Sequence, residues 1–212
     1  MTLAASGETD EPGSAGAGMV ERAPRRQRSD AKRNLDSLLD AAKEVLASSG
    51  VDAPAKEIAD LAGVGVGTVY RHFPRRADLV IAVLQHEVDA CIEEGETLSS
   101  TEESLAALTK WLHRYTDFVA TKRGLAAALH SGDPAFEGLP SYLLQRLDPV
   151  VVMMLDRAAA AGEIRSDVSA NDLLRAVAQL CIPGPGGPAY SQRMVALLVD
   201  GLRNRGPLTQ LA

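Results

Sequence analysis

Aromatic residues are scarce in this chain: three Phe, four Tyr and one Trp make up 4% of its 212 residues. Residues that suit strands are sparse, and Ala and Leu dominate the apolar set, which favours helices. Cysteine is scarce as well. Cys91 and Cys181 stand far apart in apolar contexts, which excludes a disulfide framework and reads as core thiols of a reducing cytoplasm. No run of about 20 apolar residues is present, so no transmembrane helix is expected. The opening MTLAASGETDEPGSAGAG lacks the basic-then-apolar order of a signal peptide, and a cytoplasmic location is expected. GxSxG, Walker and HExxH patterns are missing too, which leaves an enzyme without machinery. His72, His86, His113 and His130 show no ligand spacing, so neither a metal nor a cofactor is expected.

What is present is enough apolar material for a sizeable core, 46% of the chain. The length suits an N-terminal module plus a helical second domain, or one large domain. The net charge of −6 looks wrong for a nucleic-acid partner until it is divided along the chain. Residues 1–19 hold three acids and no base, residues 20–76 hold 11 bases to 8 acids, and residues 77–212 hold 11 to 17. Basic charge is gathered in the N-terminal third, as an electrostatic footprint for DNA requires.

Residues 1–29 are Gly, Ser, Ala, Pro and charge without periodicity, and read as a disordered arm. Its end carries Arg22, Arg25, Arg26 and Arg28, which form either a solvated tail or an arm that reaches DNA. Apolar residues at helical spacing then predict a helix from Asp30 to Ser48, stopped by Gly50. A short helix follows from Pro54 to Gly63 and another from Val66 to Phe73, the layout of a helix-turn-helix. Longer helices are predicted over 76–95, 102–121, 122–131 and 139–162. Asp148-Pro149 predicts a kink in the last of these, or a new helix capped by Asp148. Ser169 is placed to cap a helix over 170–181. The run PGPGGP at 183–188 predicts a loop, and a final helix spans 190–204.

The segment KEIADLAGVGVGTVYRHFPRRADLV, residues 56–80, has a particular physical logic. Ile58, Ala59 and Ala62 pack the short helix, and Gly63 permits the turn. Gly65 and Gly67 leave the next helix without bulk, so its backbone comes close to DNA. Thr68, Tyr70, Arg71 and His72 then supply donors for phosphate oxygens, which position a protein while base edges specify sequence. Val66 is either a buried first-turn residue or a reader of a thymine methyl.

This stretch resembles the DNA-binding domain of the TetR/AcrR family of regulators, whose hallmark is close to IA..AGV..GT.YRHF followed by a basic residue and D/E-L. RNLDSLLDAAKEVLASSGVDAP, from Arg33 to Pro54, is similar to an actinobacterial-type subgroup. So are the segments Trp111–Leu129 and Asp156–Cys181 of the C-terminal domain. The resemblance spans about residues 30–204. It implies an all-α fold of about nine helices: a helix-turn-helix domain at 30–76, an effector-binding and dimerisation domain at 77–206, and a tail at 207–212.

It also implies a transcriptional regulator, most often a repressor, with double-stranded operator DNA, a small-molecule effector and a second copy of itself as partners. Thr68, Tyr70 and His72 match typical DNA contacts. Arg76 stands where a phosphate-binding lysine is usual. Pro54 departs from the Ser or Thr that often caps the second helix and touches phosphate, a loss that Lys56 is placed to offset. Trp111, Tyr115 and Phe118 form a stripe that lines either the core or the effector cavity. Met154 is a weaker lining candidate, as are Phe136, Tyr142 and Met153. The last two helices imply a dimer face of Leu174, Val177, Leu180, Met194, Leu197, Leu198 and Leu202. A helical adaptor that binds other proteins would explain those helices but not residues 56–80.

Overall fold

The computed structural model describes residues 23–181 and 187–203. These residues form nine helices and one 3-10 turn, and no strand. Helix α1 runs Ala23–Ser49, α2 Ala55–Ala62, α3 Val66–His72, α4 Arg76–Thr101 and α5 Ser104–Gly124. After these come α6 Ala126–Leu129, the 3-10 turn Pro134–Phe136, α7 Leu139–Ala160, α8 Ala170–Leu180 and α9 Gly187–Leu202.

The chain divides into two units at Leu35. Of the N-terminal unit, residues 23–35 are described, and they are the first part of α1. The helix thus begins at Ala23, ahead of the expected Asp30 and inside the stretch expected to be disordered. Of the basic cluster, Arg25, Arg26 and Arg28 are therefore helical, while Arg22 lies outside the described residues.

In the second unit, Leu38, Leu39, Ala42, Val45 and Leu46 form the buried stripe of α1. Their spacing is that of one helix face, which is why the sequence folds there as a helix. Ile58 and Ala59 of α2 and Val69 of α3 are buried, and α2 packs on α3. The larger part is centred on α4, α5 and α7, which pack on one another. At their crossing, a glycine decides the geometry. A Cβ at Gly95 would lie 2.5 Å from Val150 Cγ2 and 2.9 Å from Trp111 Nε1. Its absence lets the Trp111 indole reach the backbone of α4 and donate to the carbonyl of Cys91, 2.7 Å away. The indole is wholly buried, so that bond satisfies a group that would otherwise be costly to bury.

Helix α7 is continuous through Pro149, with neither a break nor a new start at Asp148. Proline removes the N–H that the Gln145 carbonyl would accept. Both positions are exposed, so water can take its place. Ser169 caps α8 as expected, its side chain accepting from the Asp172 N–H at 3.3 Å. Helix α9 starts earlier than expected, with Gly187 and Pro188 in its first turn, a position that tolerates proline. The rest of the expected loop, residues 183–186, and the tail at 207–212 lie outside the described residues. The far end of α9 is tied to the α7–α8 connection. Arg165 donates its N–H to the Leu202 carbonyl at 3.0 Å, and Ile164 pairs with Arg203 as an isolated bridge.

Candidate nucleic-acid interface and effector cavity

The turn between α2 and α3 is built by Gly63, which adopts φ +68° and closes α2. Its N–H reaches the Asp60 carbonyl and the Val64 N–H the Ala59 carbonyl, at 3.3 and 3.0 Å. This left-handed conformation suits glycine and few other residues. Gly65 and Gly67 have a different reason to be glycine. Neither needs a positive φ, and a Cβ on either would meet no atom of the described residues. Nothing among the described residues requires their smallness, which leaves room for something outside the chain.

One side of α3 anchors and the other is offered to solvent. Val69 is buried, whereas Val66, Tyr70, Arg71 and His72 are exposed and Thr68 is half-buried. Tyr70 is 58% exposed, unusual for a ring that size, so it is no core aromatic. Phe73 is half-buried, its ring centroid 6.0 Å from that of His72. Lys56 is exposed on α2 and pairs with Asp60 one turn on at 2.6 Å. Pro54 caps α2 without a side-chain bond, as its chemistry dictates.

Arg76 sits differently from a free phosphate ligand. Its guanidinium is half-buried and donates to the carbonyls of Val51 and Ala53, the latter at 2.6 Å. Burial lowers its pKa from the ordinary guanidinium value. It therefore braces the α1–α2 loop in this structure. The neighbouring Arg75 was not singled out from the sequence. It is exposed and pairs with Asp78 at 2.6 Å across the first turn of α4. Hydrogen bonding to Arg75 holds the Asp78 carboxyl below the usual carboxylate range.

The C-terminal part of the chain holds a cavity of about 350 Å³ between the C-terminal half of α5, α6, the start of α7, and α8. Tyr115 and Phe118 border it, with Leu143 and Leu174. Trp111 and Met154 do not border it; both are buried, and Trp111 stacks on Tyr115 with centroids 5.6 Å apart. Phe136 borders a separate cavity with Asp52 and Arg76. The Lys122, Arg123 and Arg175 side chains that border the first cavity were not anticipated. In the sequence Lys122 and Arg123 look like solvated positions at a helix end, and the fold half-buries them, while Arg175 of α8 stays exposed at the rim.

The expected dimer stripe divides in two. Leu174, Val177 and Leu202 are buried within the protomer, so they are removed from the candidate face. Val177 and Leu174 pack inward because α8 covers α7, and α9 covers α5 and α8. Leu180, Met194 and Leu198 remain half-buried, and Leu197 is 62% exposed. Among the described residues no helix is long and apolar enough to cross a membrane.

Comparison with known proteins agrees with this geometry. Residues 38–83 match the model of bacterial regulatory proteins of the tetR family. Residues 103–204 match the C-terminal domain of SbtR-like transcriptional regulators. The HTH-type transcriptional regulator SAR0097 of Staphylococcus aureus (strain MRSA252) is 31% identical over 152 residues, 62% of this chain and 76% of that one. The chain belongs to the TetR family. Among solved structures, the TetR transcriptional regulator SCO0520 from Streptomyces coelicolor is 34% identical with a TM-score of 0.69, covering 81% of this chain and 99% of that one. A TetR regulatory protein from Mycobacterium vanbaalenii is 32% identical with a TM-score of 0.64, over 84% and 99% of the two chains. This TetR-family chain is thus an all-α transcriptional regulator with an N-terminal helix-turn-helix.

Proposed function

We propose that this TetR-family regulator is a repressor that binds a palindromic operator as a homodimer and is released by a small molecule. The observation that carries the reading is the two-sided recognition helix: Val69 is buried, while Val66, Tyr70, Arg71 and His72 are exposed beside two glycines that nothing among the described residues requires. A helix anchored on one side and open on the other fits a major groove, which admits a helix. Tyr70, Arg71, His72, Thr68 and Lys56 hold phosphates and base edges, and Val66 meets a thymine methyl. Arg76 acts at one remove, by fixing the loop that carries α2.

Two such helices, one from each copy, enter successive major grooves, so the spacing between them sets affinity. The exposed Leu197 with Met194, Leu198 and Leu180 supports an interface on α8 and α9. A large apolar side chain left open in such company is typical of an association face. An effector in the α5–α8 cavity favours a dimer whose helix spacing no longer fits the operator. It acts only through its differential affinity for the two states.

The experiment is a gel-shift titration of the intergenic DNA beside the protein's own gene, at several salt concentrations. A retarded complex whose affinity falls steeply with salt is expected. Binding that is weak, and equal on unrelated DNA, would count against the reading.

A further inference from the structure

The cavities of this structure differ in charge. One, between α1 and α5, is bordered by Asp40 and Glu44 as well as Lys43. Another combines Arg76 with Asp52 and Asp133. The cavity between α5, α6, α7 and α8 is bordered by Lys122, Arg123 and Arg175, and by no Asp or Glu among the described residues.

The three cations are held in different ways. Arg123 donates to the Ala178 carbonyl at 2.7 Å, which fixes its guanidinium against α8. Arg175 donates through Nε to Asn171 at 2.7 Å and keeps its other N–H groups. Lys122 has no hydrogen bond or ion pair among the described residues, although it is half-buried. Burial lowers its pKa, and the neighbouring Arg123 lowers it further. A cation out of water beside another cation is unfavourable until an anion arrives. A simpler account places Lys122 and Arg123 in the last turn of α5, where the helix dipole favours cations. That account does not require burial, and it leaves out Arg175, which comes from another helix.

The geometry points to an amphiphilic organic anion, an acid group on a compact apolar body, as the ligand of this cavity. Its charge meets Lys122 and the two guanidinium groups, and its body lies against Tyr115, Phe118 and Leu143. The volume, about 350 Å³, is at the small end for ligand pockets and limits the body to a compact one. This inference rests on the reading of the cavity as the effector site.

Two fluorescent probes with nearly the same apolar body test it on the full-length protein: anilinonaphthalene sulfonate and the neutral N-phenylnaphthylamine. The sulfonate is expected to bind at one site per chain, with the neutral probe about tenfold weaker or worse, the equivalent of one charge-assisted hydrogen bond. Lys122→Gln and Arg175→Gln should each weaken the sulfonate by a similar factor and leave the neutral probe unchanged, and Lys122→Arg should restore it. Equal binding of the two probes, indifference to both Gln variants, or no binding of the sulfonate overturns the inference. Competition by octanoate and by hexyl phosphate then tells a carboxylate from a phosphate. Displacement by neither acid, or equally well by octanamide, also overturns it.

Operator release is measured separately. A neutral compound that frees DNA through this cavity keeps the regulator reading and removes the anion. Anion binding that depends on Lys122 while DNA stays bound keeps the anion and removes the release mechanism.

Discussion

Lys43 of α1 and Arg114 of α5 converge on a single carboxylate, that of Glu87 in α4, at 2.8 and 3.2 Å. Glu87 is 3% exposed, and Arg114 also reaches Glu94 at 3.4 Å. One buried acid thus joins the first helix to α5, the helix that borders the cavity of Tyr115 and Phe118. Removing one partner of a buried pair is costly because it strands the other charge. Glu87→Gln is expected to lower unfolding free energy by about 2–3 kcal/mol, less than for a fully buried pair because both cations keep some solvent. Lys43→Ala, at a more exposed end, should lose under about 1 kcal/mol. Urea titrations of both variants check this, and equal losses would contradict it.

Gly95→Ala tests the crossing of α4, α5 and α7. In an open helix the change stabilises by about 1 kcal/mol. Here the added Cβ meets Val150 and the Trp111 indole. A net loss of about 1–3 kcal/mol is expected from overpacking. The emission of Trp111 should shift as well, because its bond to the Cys91 carbonyl is displaced. A stabilised variant with unchanged emission would show that the crossing has slack.

Gly67→Ala should separate stability from DNA binding. Its Cβ meets nothing among the described residues, so the free protein should gain about 0.5 kcal/mol in thermal unfolding. Operator affinity should fall at least tenfold, because the methyl stands where DNA approaches. Tyr70→Phe should weaken all operator variants alike, as loss of a phosphate contact does. Gel shifts on the wild-type and altered operators read both effects.

The dimer face is tested by a pair of substitutions. Leu197→Glu is expected to leave each protomer folded and to yield monomers in sedimentation, with loss of tight operator binding. Leu174→Glu is expected to unfold the protein, because Leu174 lies inside it. A Leu197→Glu protein that stays dimeric would place the interface elsewhere.

Alkaline pH should destabilise the fold through Cys91. Burial pushes its thiol from the ordinary 9.0 up to about 12. The folded state holds the proton more tightly than the unfolded state, so stability from this site is complete below pH 9.0. It is lost as pH rises towards about 12. Unfolding midpoints measured across that range should fall for wild type and fall less for Cys91→Ala. A thiol reagent should reach Cys91 only after unfolding, since it is wholly buried.

The helices and the recognition motif were legible in the sequence because both are local. The stripe Leu38, Leu39, Ala42, Val45 declares its own helix, and Gly63 declares its turn. What depends on long-range packing was not legible. Periodicity shows that α8 has an apolar stripe, but not that the rest of the same protomer covers Leu174 and Val177. Arg76 is visible as a charge, whereas its engagement with Val51 and Ala53 depends on where a distant loop lies. Lys122 reads as a solvated helix end until α7 and α8 enclose it. Pro149 predicts a kink or a new start at Asp148 if propensity alone decides; α7 makes no new start there, because residues on both sides of it are packed in one helix.

That proline divides α7 into two stretches with different work. Before it, Pro140, Leu143 and Leu144 form a wall of the cavity; after it, Val150 presses on Gly95. The rung between them is missing, because Pro149 has no N–H to give the Gln145 carbonyl. Mechanically, α7 is a lever with a soft fulcrum. A helix bends most readily where a rung is absent, so bending here would move the wall of the cavity and leave the arm clamped at the crossing in place.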